Sequence, residues 1–297
     1  MKKLCLIALM VVAMMLSLAG CGKKTDYQLY SEAQKNMTEM KYADYTGEAT
    51  ISMKMDTISV NVPMNFALKV DAADKNAPKI LAEYKIVSDI IGNTSTSMYM
   101  PGDGNTYTAT KAKRGDEEVI TKTRTKAGES TGDTGIDFPN IKKDAKIDID
   151  IFTEEDFKDI QKEDVDGGIK YTITKTGAQI KEIITRLANS IIDATDASDD
   201  EKAEARKEIE KSIKDAEIGD ITIKFVVKDA YITDLEIETA DFDTTDKDSG
   251  MKMTVSIKVS IKLNNPGKEV EVKAPYDLGE YQEYQVPDFD FGEDWDM

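Results

Sequence analysis

The chain of 297 residues contains no histidine. That absence removes Ser-His-Asp catalysis, most general-base schemes near neutral pH, and the commonest zinc ligand. Cysteine is nearly as scarce. The two present, Cys5 and Cys21, both fall at the start of the chain, so the remainder forms no disulfide and takes its stability from its core. Positive charge is in short supply: 57 acidic residues face 39 basic ones, a net charge of −18. Nucleic acid is held by Lys and Arg on phosphate, so it is excluded as a partner. The same balance argues against a polypeptide that hugs an anionic bilayer.

What is present begins at the first residue. Lys2 and Lys3 precede an apolar run from Leu4 to Leu18, and the small pair Ala19-Gly20 comes immediately before Cys21. Charged, apolar and small-residue regions in that order make a secretory signal. The Leu18-Ala19-Gly20-Cys21 ending resembles the lipobox of bacterial lipoproteins. The resemblance implies cleavage after residue 20 and a covalent diacylglycerol on the Cys21 sulfur, with further acylation such as palmitate. Residues 1–20 are then a lipoprotein signal peptide and 21–26 a lipidated tether. The protein is expected on the extracytoplasmic face of the cell membrane, held by its lipid anchor. Losing Lys2 and Lys3 makes the domain still more acidic, which keeps it soluble beside the membrane.

From Tyr27 the apolar positions Tyr30, Ala33, Met37 and Met40 predict a helix over about 27–41, capped by Thr25 or Asp26. After Gly47 the period changes to two. Ile58, Val60, Val62, Met64, Phe66, Leu68 and Val70 fill every second position, and so do the apolar residues from Met251 to Leu263. Such runs predict long strands with one greasy and one wet face. Pro63 on the polar side points to an edge or bulge. Shorter strands are read near 80–86, 98–100, 106–110, 117–126, 147–151, 169–173, 221–227 and 232–237. Asp166-Gly167-Gly168 marks a hairpin. Two helices are predicted at 180–191 and 199–216. The acidic residues Asp193, Asp196, Asp199 and Asp200 mark the break between them, one serving as a cap. The fold class is α+β: a large curved antiparallel half-barrel sheet with helices packed on its concave face.

Helix, long one-sided strands, helix pair and final strands, with the runs Asp166 to Ile173 and Lys228 to Ile237, resemble the LolA/LppX-like superfamily. The chain looks closest to uncharacterised Gram-positive lipoproteins with that fold. The resemblance covers about residues 27–276. It implies a half-barrel with helices as a lid over a hydrophobic cavity, which some members use to carry lipids or lipoproteins. Two departures stand out: carriers of that superfamily are soluble shuttles, and the strands here carry little aromatic bulk.

No catalytic residue is assigned. Asp148 and Asp150 alternate with isoleucines, which puts them on a wet strand face, and Glu154, Glu155 and Asp156 read as the start of a helical turn. Asp241, Asp243, Asp246 and Asp248 miss the spacing of a calcium loop and read as a hairpin turn. No metal and no cofactor beyond the covalent lipid is expected, and the chain is read as a binding protein rather than an enzyme. Candidate pocket residues are Met53, Met55, Met64, Phe66, Ile184, Leu187, Met251 and Met253, since methionine adapts to irregular ligands. Residues 277–297 carry eight acidic residues and no basic one. This tail is expected to be disordered, or to act as a docking peptide for a protein partner. Two functions stay open: a module binding a lipid or other hydrophobic small molecule, and a non-catalytic envelope scaffold or signalling lipoprotein with a filled core.

Overall fold

The two longest alternating runs share a neighbour. Strand β1 (Tyr42–Met55) pairs with β2 (Ile58–Asp71) in unbroken antiparallel register, from Tyr42↔Asp71 to Met55↔Ile58. Its other side pairs with β12 (Lys252–Asn264), from Asp44↔Asn264 to Lys54↔Thr254. A computed structural model describes residues 24–55, 58–88, 92–114, 117–126, 151–215, 218–245, 252–275 and 277–283. Beyond β2 the sheet continues through β3 (Lys79–Ile86), β4 (Asn93–Met100), β5 (Asn105–Arg114) and β6 (Glu117–Lys126). Beyond β12 it continues through β10 (Tyr231–Thr239), β9 (Ile221–Lys228), β8 (Gly168–Lys175) and β7 (Gln161–Val165). Short β11 (Phe242–Thr245) adds to β12, and β13 (Gln282–Glu283) adds to β6 as a parallel partner. Among the described residues the two ends of this path do not pair. The molecule is the α+β half-barrel expected: one large open, mostly antiparallel sheet with helices.

Several boundaries move. The strand read at 98–100 starts at Asn93, because Asn93-Thr-Ser-Thr-Ser97 has no apolar alternation to announce it. Strand β7 was hidden in the same way by Gln161-Lys-Glu-Asp164. A further short strand, β11, separates the expected strands on either side of it. Pro63 stands at the end of the β2–β3 ladder: its carbonyl accepts from the Val87 amide at 3.3 Å, and with no N–H it cannot return the second bond of that pair. Residues 147–150 of another expected strand lie outside the described residues.

Helix α1 (Asp26–Glu39) opens on a capping box in which the Gln28 amide donates to Thr25 Oγ1 and the Thr25 amide to Gln28 Oε1. The sheet fixes both its ends. Asp26 accepts a 3.0 Å bond from the Tyr171 hydroxyl and pairs with Lys162 at 2.7 Å, while Asn36 donates to the Ala230 carbonyl at 2.9 Å. Ala33, fully buried, lets the helix approach β10 closely. Helices α2 (Gly177–Ala194) and α3 (Asp199–Asp215) form an antiparallel hairpin, tied by Arg206 to Asp193 and by Lys181 Nζ to the Lys214 carbonyl. The cap of α3 is Ser198, whose hydroxyl accepts from the Glu201 amide, rather than one of the aspartates expected there.

Tyr30, Phe152, Phe157, Tyr171 and Phe225 build the core at the β8–β10 end of the sheet, with neighbouring ring centroids 5.3–5.9 Å apart. Aromatic pairs at such spacing add about 0.5–1.5 kcal/mol beyond area burial. Of these rings the strands contribute Tyr171 and Phe225, packed with Ile173, Ile223 and Val227. The helix brings Tyr30, and Phe152 and Phe157 come from the stretch that leads into and through the 3-10 segment Glu154–Phe157.

Candidate ligand-binding face

Cross-strand register places the side chains of the sheet in rows. One row runs Tyr171–Phe225–Leu235–Ile261 across β8, β9, β10 and β12. It crosses Gly47 of β1, reaches Phe66 and Tyr84, and then turns to threonine at Thr96 and Thr110. The face is therefore aromatic at one end, aliphatic in the middle and hydroxylic at the other. Thr96 and Thr110 Oγ1 atoms lie 3.2 Å apart, so the polar end satisfies itself.

The expected methionines sit in the aliphatic middle. Met53 opposes Val60 on β2 and Val255 on β12, and Met55 opposes Ile58. Met64 opposes Ala49 two rows further along, with Ile51–Val62 between. Met253 shares this face of β12, two residues from Val255. All four are half-buried, and Ile58 beside them is 58% exposed. Phe66 lies over Gly47, where a β-carbon would run into its ring and into the Ser260 carbonyl. Glycine at 47 thus makes room for the aromatic ring. Met251 and Cys21 lie outside the described residues.

Ile184 and Leu187 are placed elsewhere. They remain 39% and 36% exposed on α2, whose buried residues are Gly177, Ile180, Ile192 and Ala194. The helix packs on α3 and touches β8, which is four strands from β1 in the sheet, about 19 Å at roughly 4.8 Å per strand. The sheet brings Met53, Met55, Met64, Phe66 and Met253 to one face, but does not seal Ile184 and Leu187 against them.

Two open grooves lie on the opposite, wet face. One of about 510 Å³ is lined by residues 65–67, 83–85, 95–97 and 109–111, with Ile120, so the candidate Phe66 also borders it. The other, of about 320 Å³, lies between Thr46, Glu48, Asp234, Glu236, Ser260 and Lys262, and meets the first at Asn65. Neither groove is lined by a helix residue. Sequence reasoning missed both, because small and charged residues on wet strand positions carry no signal until eight strands line up.

A buried ion pair closes the aromatic end. Lys175, on the otherwise apolar face of β8, pairs with Asp156 and lies 5.9 Å from the centre of the Phe152 ring. Burial by itself would raise the Asp156 carboxyl. The Lys175 ammonium and the Thr153 donors outweigh it and hold the carboxyl below its ordinary range. The acids read as a helical turn thus include one that clips Phe152 and Phe157 onto the sheet. Asp148 and Asp150 lie outside the described residues, as do Asp246 and Asp248. Asp243 accepts a hydrogen bond from Thr254. Among the described residues no group of three or more Asp, Glu or Cys could hold a metal ion, and no helix is long and apolar enough to cross a membrane.

The tail begins differently from expectation. Asp277 to Glu283 are placed on β6: Gln282 and Glu283 pair with Thr123 and Arg124, and Tyr281 is buried against Tyr107 with ring centroids 5.5 Å apart. Residues 284–297 lie outside the described residues.

No protein-family model matches the chain, and no curated protein does. Among solved structures, it is similar to the crystal structure of LprF from Mycobacterium bovis. The identity is 15%, over 84% of this chain and 95% of that one, with a TM-score of 0.36. It is also similar to a DUF1329 family protein from Desulfovibrio piger, with 9% identity over 80% of this chain and 90% of that one and a TM-score of 0.27.

Proposed function

We propose that this chain is a non-enzymatic lipoprotein, anchored through acylated Cys21 on the extracytoplasmic face of the membrane, that holds a lipid or other hydrophobic molecule between its sheet and helices. The observation that carries the reading is the aliphatic middle of the apolar face. Met53, Met55 and Met253 lie there half-buried near exposed Ile58, with half-buried Met64 further along the same face of β2, while the aromatic core and α1 cover the far end of the sheet. Flexible thioethers on a partly open surface can close around acyl chains of varied shape. Ile184 and Leu187, exposed on α2, are the residues a closing helix hairpin would bring to such a ligand.

Displacement of a fluorescent fatty acid tests this reading. The protein should bind the probe, and Met53→Glu with Met64→Glu should weaken binding at least tenfold while circular dichroism stays unchanged. Equal binding by that variant would place the ligand elsewhere. The filled aromatic core supports a second reading, an envelope scaffold that acts through protein contacts and takes no apolar ligand.

A further inference from the structure

The second half of strand β6 is basic in a strongly acidic protein, while its first two residues are Glu117 and Glu118. Lys122, Arg124 and Lys126 occupy alternate positions, so all three project from one face of the strand, with threonines on the other. Along the second half of this strand lies Asp277–Glu283, which carries an acid at every third position. Lys122 pairs with Asp277 and Glu280, and Lys126 pairs with Glu283 at 2.9 Å. Tyr281 enters between Tyr107 and the Lys122 ammonium, which lies 5.9 Å from its ring centre.

The segment fills the strand incompletely. Arg124 Nε is buried and has no hydrogen-bond partner among the described residues. Among the described residues β13 is the only strand on the outer side of β6, and it pairs with two residues of ten. Among the described residues nothing pairs with the first half of the edge, where Val119 is 60% and Ile120 56% exposed. An edge that presents apolar β-branched residues is a template for another strand. The opposite edge of the sheet is unlike it: β7 has five residues, and Gln161, Lys162, Glu163 and Asp164 guard it.

We propose that the β6 edge is a docking site for an extended, acidic, tyrosine-bearing segment of a partner protein, and that Asp277–Glu283 is its resident competitor. Charge complementarity selects the partner, because the cation row meets carboxylates in the resident segment and keeps one guanidinium nitrogen unmatched. The resident turns away through its 3-10 segment Leu278–Glu280 before it can pair with residues 117–122. A partner that stays extended adds that backbone pairing, covers Val119 and Ile120, and offers Arg124 an acceptor. Surface ion pairs hold weakly one by one and are screened by salt. The resident stays in place chiefly because the chain delivers it at an effective concentration of roughly millimolar.

A labelled peptide with the sequence of residues 277–283 tests the exchange, read by fluorescence anisotropy on the full chain. In the variant Asp277→Lys with Glu280→Lys the resident is released, and the peptide should bind at least tenfold tighter than it binds the native chain. Adding Lys122→Glu should abolish that binding, and a scrambled peptide should not bind. If the double variant fails to fold by circular dichroism, Glu280→Lys alone serves, with an expected gain of at least threefold. Equal binding to native and released chains, or no binding to a folded released chain, overturns the proposal. So does a released chain that dimerises in native mass spectrometry instead of taking the peptide, which would make the occupant a second copy.

Discussion

Single residues carry strains and pairings that can be measured directly. Asp229 and Ala230 both have positive φ, 52° and 62°, in the hairpin between β9 and β10. The left-handed region costs an ordinary residue about 1–2 kcal/mol, and Asn36 offsets part of that by donating to the Ala230 carbonyl. Ala230→Gly should therefore raise stability by about 0.5–1 kcal/mol in urea denaturation; a loss would mean that Ala230 makes a contact worth more than its backbone strain. At the other end of β8, Asp156→Asn leaves Lys175 without its counter-charge and should cost about 3 kcal/mol at neutral pH. The sign with pH follows from the depressed carboxyl. Its stabilisation is present above the ordinary value of 3.8 and fades as pH falls through the lower folded value, so variant and native stabilities should converge in acid. A gap that stays constant with pH would assign the loss to packing. Cys21 is tested by labelling: Cys21→Ser should abolish palmitate incorporation and release the chain from the membrane fraction, while retention there would point to an uncleaved apolar leader.

At the scale of elements, α1 and the Glu154–Phe157 turn behave as one aromatic cover on β8–β10. Phe225→Ala removes the ring that both sit on, and should cost about 3–5 kcal/mol in thermal or denaturant melts. A cost under 1 kcal/mol would mean that the cover is not tightly packed. Elements of this kind were readable wherever a residue repeats its own environment. The alternation in β2 and β12 marks those strands within a residue or so, and the 3.6-residue period marks α1 and α2. What alternation cannot express is adjacency. Nothing in the local pattern of Met53 or Met253 says that β1 and β12, nearly two hundred residues apart in sequence, lie side by side. Strand β4 was legible only in its last residues because threonines and serines satisfy both faces of a weakly apolar wing. Asp277, Glu280 and Glu283 looked like solvated tail charges until the fold set Lys122 and Lys126 against them. That Met53, Met55 and Met64 share one face of the sheet was legible, because strict alternation fixes the face of each strand residue. The helix part, Ile184 and Leu187, was read from an apolar stripe whose real partner is largely α3.

For the whole molecule the decisive property is uneven cover. Among the described residues, one end of the apolar face is closed by rings, the other is made of threonines that need no closing, and the methionine stretch between them has neither solution. Strong negative charge keeps such a domain dispersed. The most direct test is native mass spectrometry of the full chain purified in mild detergent. A non-covalent apolar molecule should co-purify with the native chain and be missing from Met53→Glu with Met64→Glu. A native chain that flies uniformly empty, and excludes hydrophobic dyes in solution, would contradict the proposed function.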